Sequence, residues 1–428
     1  MKRVLLVAFH YPPEGGSSGV LRTLKFSKYL SAYGWEPQVL TMRESVYTAQ
    51  DPGLLGQIPA GVKVHRTGGF DSAKRFSIRG RYLAALTVPD RYVSWYPFAV
   101  RAGGEIIRRE GIAAIYSTSP VPTAHLIAAT LRAGSKLPWI ADFRDPWVEE
   151  GIHPRPGSLR YHVEKRMEAS VLRQADRVTV TTPELGEELR SRYPGLTEER
   201  VRVIYNGFDE EDFEDLPPPD RSEQMEIVHA GLLTREFRDP FPLLAELATL
   251  LAEGAIPRTA VRIVFLGSGG WASSADFRSR VDALGLGDVV RVEERIPHRD
   301  SLRRQARAAA LLLLQASDDT RHLIPAKAFE YLRLGRPIIA LTLPGATARV
   351  LRSATHCHVL EPGDARGLRE GLLDVHRLWR SGSSAERYVP GPDLLAYERN
   401  RLTGTLAGIL DELVPASAGH RSRSQRHV

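Results

Sequence analysis

Along the chain, short runs of consecutive apolar residues alternate with longer stretches in which apolar positions recur every three or four residues. The short runs lack polar alternation, the pattern of strands buried on both faces, and the stretches between them suit helices with one apolar side. In the first half the predicted strands are "RVLLVAF", "EPQVLTM", "KVHRT", "AAIYSTS", "WIADF", "RVTVTT" and "VRVIYN". A second series follows: "EIVHAGL", "VRIVFLG", "VVRVEER", "AALLLLQA", "PIIALTL" and "CHVLEP". Strand and helix in strict alternation predict an α/β protein with parallel sheets wound on both faces. Acids, turn residues and three prolines cluster in "YNGFDEEDFEDLPPPDRSEQ", residues 205–224, and divide the two series. The expected domains are therefore 1–205 and 206–393, with a terminal helix at 394–415 and a tail at 416–428. Ligands of such sheets collect beyond the carboxyl ends of the strands, so two facing sheets imply a central cleft lined by those loops.

One stretch, "IPAKAFEYLRLGRPIIA" at 324–340, carries unusually clear punctuation. Pro325 suits a helix opening, Gly335 the left-handed closing residue, and Pro337 blocks resumption before a buried strand. Phe329 and Leu332 supply the core side. Lys327 and Glu330, three positions apart, share another face.

Composition narrows the class. With 428 residues, 43% hydrophobic and 25% charged, the chain is an ordinary globular protein long enough for two or three cores. Its one cysteine, Cys357, cannot form an internal disulfide, which fits a reducing cytosol. The N-terminal "MKRVLLVAFHYPPEGG" reads as a first strand and its turn, not a secretion signal, since the apolar run ends at His10 without a cleavage site. No segment approaches the roughly 18 apolar residues of a membrane span. Of the net charge of +7, Arg421, Arg423 and Arg426 contribute three in a tail without acids. That tail reads as disordered and solvated, with no interleaved aromatics to stack on nucleic acid.

Candidate chemistry sits in the strand-end loops. In "HYPPEGGSSG" (10–19), Gly15 and Gly16 can turn N–H groups outward beside a helix N-terminus and so suit a phosphate, although a plain turn fits equally. In "DFRDPW" (142–147), Asp142 and Asp145 can position hydroxyls with Arg144, or can pair with it and cap a helix. "STSP" (117–120) places Ser117 and Ser119 at another strand end, as hydroxyl donors or as a capped turn. "AGLLTREFRDP" (230–240) brings Gly231, Arg235 and Arg238 together, and a guanidinium pair matches a diphosphate. Gly267, in "GSGG", ends a further strand. No D-x-D, H-E-x-x-H or cysteine cluster is present, so no metal ligand set is expected, and no G-x-S-x-G nucleophile elbow occurs.

Taken together, "HYPPEGGSSG", "DFRDPW", "VIYNGFDEEDF", "PAKAFEYLRLGRPII" and "EPGD" resemble the family 4 retaining glycosyltransferases of the GT-B fold, particularly those that assemble bacterial surface polysaccharides. The resemblance covers almost the whole chain. It implies two Rossmann-like domains around a cleft, an N-terminal acceptor domain, a C-terminal nucleotide-sugar domain, and a last helix that crosses back over 394–413. It also implies metal-independent transfer, with the nucleotide-sugar as substrate and no cofactor. Two glutamates eight positions apart are usual in that family, the second contacting ribose hydroxyls. Glu330 occupies the second position and His322 the first. Where relatives carry a first-domain histidine, this chain has Ser117, Thr118 and Ser119, so no catalytic histidine is assigned. In such transfer the departing phosphate can accept the acceptor's proton, leaving the protein to position sugars and stabilise the diphosphate.

The resemblance thus gives catalytic candidates Asp142, Asp145, Arg235, Arg238 and Lys327. Donor-binding candidates are Gly15, Gly16, Gly231, Gly267, His322, Lys327 and Glu330, and acceptor-binding candidates are Ser117, Ser119 and Arg144. The acceptor is expected to be a glycan or a polyprenol-linked glycan. Residues 73–101 hold Lys74, Arg75, Arg79, Arg81, Arg91 and Arg101 against Asp90 alone, interleaved with aromatics. They suit either a helical flank or peripheral contact with anionic lipid, at the inner face of the membrane in a cytoplasmic protein. Two rival readings remain: a non-catalytic sugar-nucleotide or partner-binding module, and a non-hydrolysing nucleotide-sugar epimerase.

Overall fold

The computed structural model describes residues 1–17, 19–77, 84–148, 155–217, 223–352, 354, 356–382 and 392–415. The expectations for Arg79, Arg81 and the 416–428 tail lie outside the described residues.

All thirteen predicted strands are present, in two wholly parallel sheets. The first contains β1 (Lys2–Val7), β2 (Trp35–Met42), β3 (Lys63–Thr67), β4 (Ile112–Thr118), β5 (Trp139–Phe143), β6 (Arg177–Val180) and β7 (Val201–Val203), in the order β3-β2-β1-β4-β5-β6-β7. The second contains β8 (Met225–Ala230), β9 (Val261–Leu266), β10 (Val290–Glu293), β11 (Ala310–Gln315), β12 (Ile338–Thr342) and β13 (Cys357–Leu360), in the order β10-β9-β8-β11-β12-β13. The unbroken run "ALLLLQ" of β11 is buried at every position, because helices cover both faces of a central parallel strand and leave no polar side. In each sheet the strand order reverses once, between β1 and β4 and between β8 and β11. At such a reversal the helices of adjacent loops leave on opposite faces and open a crevice.

The chain forms two compact units. One comprises Met1–Val180, Leu189–Ile204 and the residues from Leu402 on, and the other comprises Thr181–Glu188 and Tyr205–Arg401. Thr181–Glu188 therefore groups with the second unit, where the sequence reading placed it in the first. The end of the last helix, Arg399–Leu413, is tied to the first sheet by Asp411, whose Oδ1 accepts from Lys2 Nζ at 2.7 Å and Trp35 Nε1 at 3.1 Å.

The helix Ala326–Leu334 ends as its sequence predicts. Gly335 is left-handed, φ 63°, and its N–H reaches the carbonyls of Tyr331 and Leu332. Pro325 is the extended residue just before the helix rather than its first turn. Ala328, Phe329, Tyr331, Leu332 and Leu334 are buried, and the Tyr331 hydroxyl accepts from the Ala230 N–H at 3.1 Å. This docking aims the N-terminal turn of the helix at the end of β8.

Candidate functional site

In the second unit the loops after β8 and β11 flank the crevice between those strands. Gly231 follows β8 with φ +113°, and its N–H is committed to the Leu266 carbonyl at 2.8 Å. What Gly231 contributes is therefore space: a Cβ there would lie 2.9 Å from Lys327 Nζ. Lys327 is half-buried, and its Nζ is shielded from solvent with no hydrogen-bond partner among the described residues. Burial, reinforced by the Arg238 charge and opposed by Glu330, pushes this ammonium down to about 7. Arg238 is itself partly buried, and that burial lowers its pKa. Both cations are withdrawn from solvent, and neither makes an ion pair among the described residues. Three further polar atoms of this region lack partners: His229 Nε2 on β8, Thr234 Oγ1 in the following loop and Ser268 Oγ after β9. Buried polar groups are nearly always bonded, so such a concentration at a strand-order reversal marks a place shaped for a polar ligand.

Glu330 lies one turn along the same helix. No Lys327–Glu330 ion pair occurs among the described residues. Instead His298, the first residue of helix His298–Ala306, places Nε2 at 2.9 Å from Glu330 Oε1. Sequence reasoning passed over His298. Its one available signal was position, in the loop beyond the carboxyl end of β10. His322 engages elsewhere: its Nδ1 is 3.0 Å from Glu188 Oε2, and its carbonyl accepts from Thr182 Oγ1. Arg235 is exposed on the 231–240 loop while Arg238 turns inward, so the expected arginine pair is divided. Gly267 adopts φ +65° and commits its N–H to the Glu293 carbonyl at 2.9 Å, which is the work of a turn.

The first unit corrects several expectations. The Gly15 N–H bonds Ala49 O at 3.0 Å and the Gly16 N–H bonds Glu14 Oε1 at 2.7 Å, so neither faces outward for a phosphate. A Cβ on Gly15 would fall 2.8 Å from Asp51 N; close packing against residues 49–51 is the reason for glycine. The same carboxylate of Glu14 holds His10 Nδ1 at 3.0 Å through Oε2, a histidine–carboxylate pair at the carboxyl end of β1 that the sequence reading did not single out.

Asp142 is wholly buried. It accepts from Arg22 Nε at 3.0 Å, Arg22 Nη2 at 2.7 Å, Thr118 Oγ1 at 2.7 Å and Thr179 Oγ1 at 2.6 Å. Burial raises its pKa, but Arg22 and the Thr179 and Tyr116 hydroxyls overcome it and hold the carboxyl at about 2. With bonds accepted from β4, β6 and the helix that carries Arg22, Asp142 braces the sheet. Ser117 is likewise core, its Oγ 2.8 Å from His125 Nδ1 and accepting from Trp139 Nε1 at 2.8 Å. Ser119 Oγ accepts the Arg144 N–H at 2.8 Å and shapes the turn. The Arg144 guanidinium is buried against the start of helix Gly19–Tyr29, Nη1 donating to Gly19 O at 3.2 Å. A Cβ on Gly19 would collide with it at 2.3 Å. Ser117, Ser119 and Arg144, expected as acceptor contacts, are thus buried and engaged within the first unit. Asp145 is half-buried at the head of its loop.

Among the described residues no group of three or more His, Cys, Asp or Glu side chains is placed to hold a metal ion, and no helix is long and apolar enough to cross a membrane.

Comparison with known proteins agrees with this architecture. Residues 19–212 match the family described as Glycosyltransferase Family 4. No curated protein matches the chain in sequence. Among solved structures, a glycosyltransferase from Rickettsia africae superposes with a TM-score of 0.65 at 13% identity, over 97% of this chain and 100% of that one. Anabaena HepE in complex with UDP and glucose gives a TM-score of 0.64 at 14% identity, over 96% and 100%. A Listeria monocytogenes protein designated a UDP-N-acetylglucosamine 2-epimerase gives 0.57 at 13% identity, over 97% and 98%. At these identities the likeness establishes the fold, which is GT-B.

Proposed function

We propose that the chain is a glycosyltransferase that takes a sugar from a nucleotide-sugar and passes it, with retention and without a metal ion, to a glycan or lipid-linked acceptor in surface-polysaccharide synthesis. The observation that carries this reading is Lys327. Its Nζ is shielded, unpartnered and packed over Gly231, beside a second inward-facing cation, Arg238. A diphosphate would supply the missing anion, and two fixed cations would stabilise the charge that develops on it as the sugar departs. Glu330, one turn further along the helix, is a carboxylate able to accept from cis hydroxyls of a ribose. The family match over residues 19–212 and a same-fold HepE structure holding UDP and glucose support the assignment.

The acceptor side belongs to the first unit, and the protein works in the cytoplasm at the inner membrane face. There Lys74, Arg75, Phe76 and Phe98 are exposed. Trp95 and Tyr92, also expected at a lipid boundary, are instead packed inward. Trp95 is fully buried and Tyr92 stacks on Phe9 with centroids 4.0 Å apart, which leaves Phe76 and Phe98 as the exposed aromatics among the described residues of this segment.

A thermal-shift screen of nucleoside diphosphates and nucleotide-sugars in EDTA, followed by assay for diphosphate release, tests the proposal. Stabilisation by a nucleotide-sugar with release of its diphosphate is expected. Stabilisation without turnover across acceptors would support a binding module, and conversion of the donor to its epimer would support the epimerase.

A further inference from the structure

We propose that His298 is a positioning residue for Glu330, and that the pair, rather than Glu330 alone, sets the preference for ribonucleoside over 2′-deoxyribonucleoside diphosphates. The inference rests on the donor reading above.

The Glu330 side chain is 15% exposed. A carboxylate withdrawn this far from water is costly unless bonded, and a glutamate with three rotatable bonds is imprecise unless held. Lys327, at the same helical face, does not hold it. Among the described residues its one hydrogen bond comes from His298 Nε2, 2.9 Å from Oε1. An ionised carboxylate only accepts, so Nε2 carries the proton in this pair. The bond takes one of the roughly four acceptor positions of the carboxylate. Oε2 and the remaining side of Oε1 stay available to two neighbouring hydroxyls, in an orientation set in advance.

Residues other than His298 anchor the helix that it begins. Helix His298–Ala306 is anchored by buried Leu302, Gln305 and Ala306 and by an ion pair from Arg304 to Glu226. The imidazole itself is 34% exposed, standing at the helix start beyond β10 rather than in the core. The bond to Glu330 Oε1 is the contact through which this imidazole can set the orientation of the carboxylate. Pre-organising one carboxylate favours ligands that use it and is neutral toward ligands that lack the hydroxyl.

Calorimetry on the full chain with UDP and GDP, each beside its 2′-deoxy counterpart, tests the inference. The wild type should prefer the ribo form of the diphosphate it binds. H298A should reduce that preference by about fivefold, chiefly by weakening the ribo form. H298Q, whose amide can donate over a similar reach, should recover part of it. E330A should abolish the preference. If E330A does so while H298A retains the wild-type ratio, or if H298A weakens ribo and 2′-deoxy forms equally, the positioning role is overturned and the donor reading stands. A wild type that binds a diphosphate without distinguishing the two sugars overturns this inference and the ribose role of Glu330, and one that binds no nucleoside diphosphate in the wider screen overturns the donor reading as well.

Discussion

Glu330 pairs with His298 across 2.9 Å and leaves Lys327, its neighbour on the same helix, without a hydrogen-bonded partner among the described residues. An exposed lysine and glutamate three residues apart would stabilise a helix by only tenths of a kcal/mol. Here the two have different neighbours: the carboxylate meets a second helix through His298, and the ammonium lies over Gly231 near Arg238. An uncompensated cation in a desolvated position is unfavourable to folding and persists where a ligand completes it.

That arrangement gives a pH dependence with a definite sign. In the unliganded protein the Lys327 ammonium is lowered from 10.5 to about 7. A diphosphate favours the charged form and raises it again, so binding above pH 7 takes up a proton. Affinity should be level below about pH 7 and fall as pH rises, by up to about tenfold per unit. The ligand's own phosphate titrates too, near pH 6, and K327R isolates the lysine because only the side chain differs. Calorimetry of UDP binding at pH 7 to 9, in buffers of different ionisation enthalpy, should show uptake of up to about one proton in the wild type and none in K327R. Identical pH profiles for the two would remove Lys327 from the site.

The divided arginine pair separates two effects. R238A should lower kcat by about a hundredfold or more, the usual loss for a fixed charge that meets the developing anion, with a smaller change in donor KM. R235A, on the exposed side of the loop, should stay within about threefold of wild type. Equal losses in both variants would show that the loop acts as a whole.

Asp142 should behave as a structural residue. Removing one member of a buried ion pair leaves the other charged and unpaired, so D142A or R22A should cost about 3–5 kcal/mol in denaturant unfolding. Because folding lowers the Asp142 carboxyl from 3.8 to about 2, its contribution is present above pH 4 and fades as pH falls toward 2. A D142N protein of wild-type stability but no activity would restore Asp142 to the chemistry.

These outcomes trace what was legible in the chain. Consecutive apolar runs such as that of β11 have one stable environment, between two helical layers, so thirteen strands and their loops could be read directly. The orientation of loop groups could not. Gly15 looks outward in sequence because its acceptor, Ala49, lies far along the chain. Asp142 looks exposed because the groups that fill it, Arg22, Thr118 and Thr179, are 120, 24 and 37 residues away. A single histidine at a helix start has no local signature, so His298 emerged only with its partner. That Lys327 and Glu330 share one helix was legible because helix punctuation and three-residue spacing are local facts.

The acceptor surface yields the last prediction. Phe76 and Phe98 are 45% and 51% exposed, and exposed large apolar side chains close to a cationic segment are suited to a lipid boundary, where each basic group adds about 1 kcal/mol against anionic headgroups. Phe70 meets Phe76 edge-on with centroids 5.7 Å apart, which orders that ring without covering it. The full chain should therefore sediment with vesicles containing phosphatidylglycerol at low salt and be released at high salt. F76S/F98S should weaken binding even at low salt, while K74E/R75E should remove its salt dependence. Neither pair should change UDP affinity, since both lie in the first unit. If the wild type fails to sediment with anionic vesicles at low salt, a soluble acceptor replaces the lipid-linked one, and the two phenylalanines become ordinary surface residues.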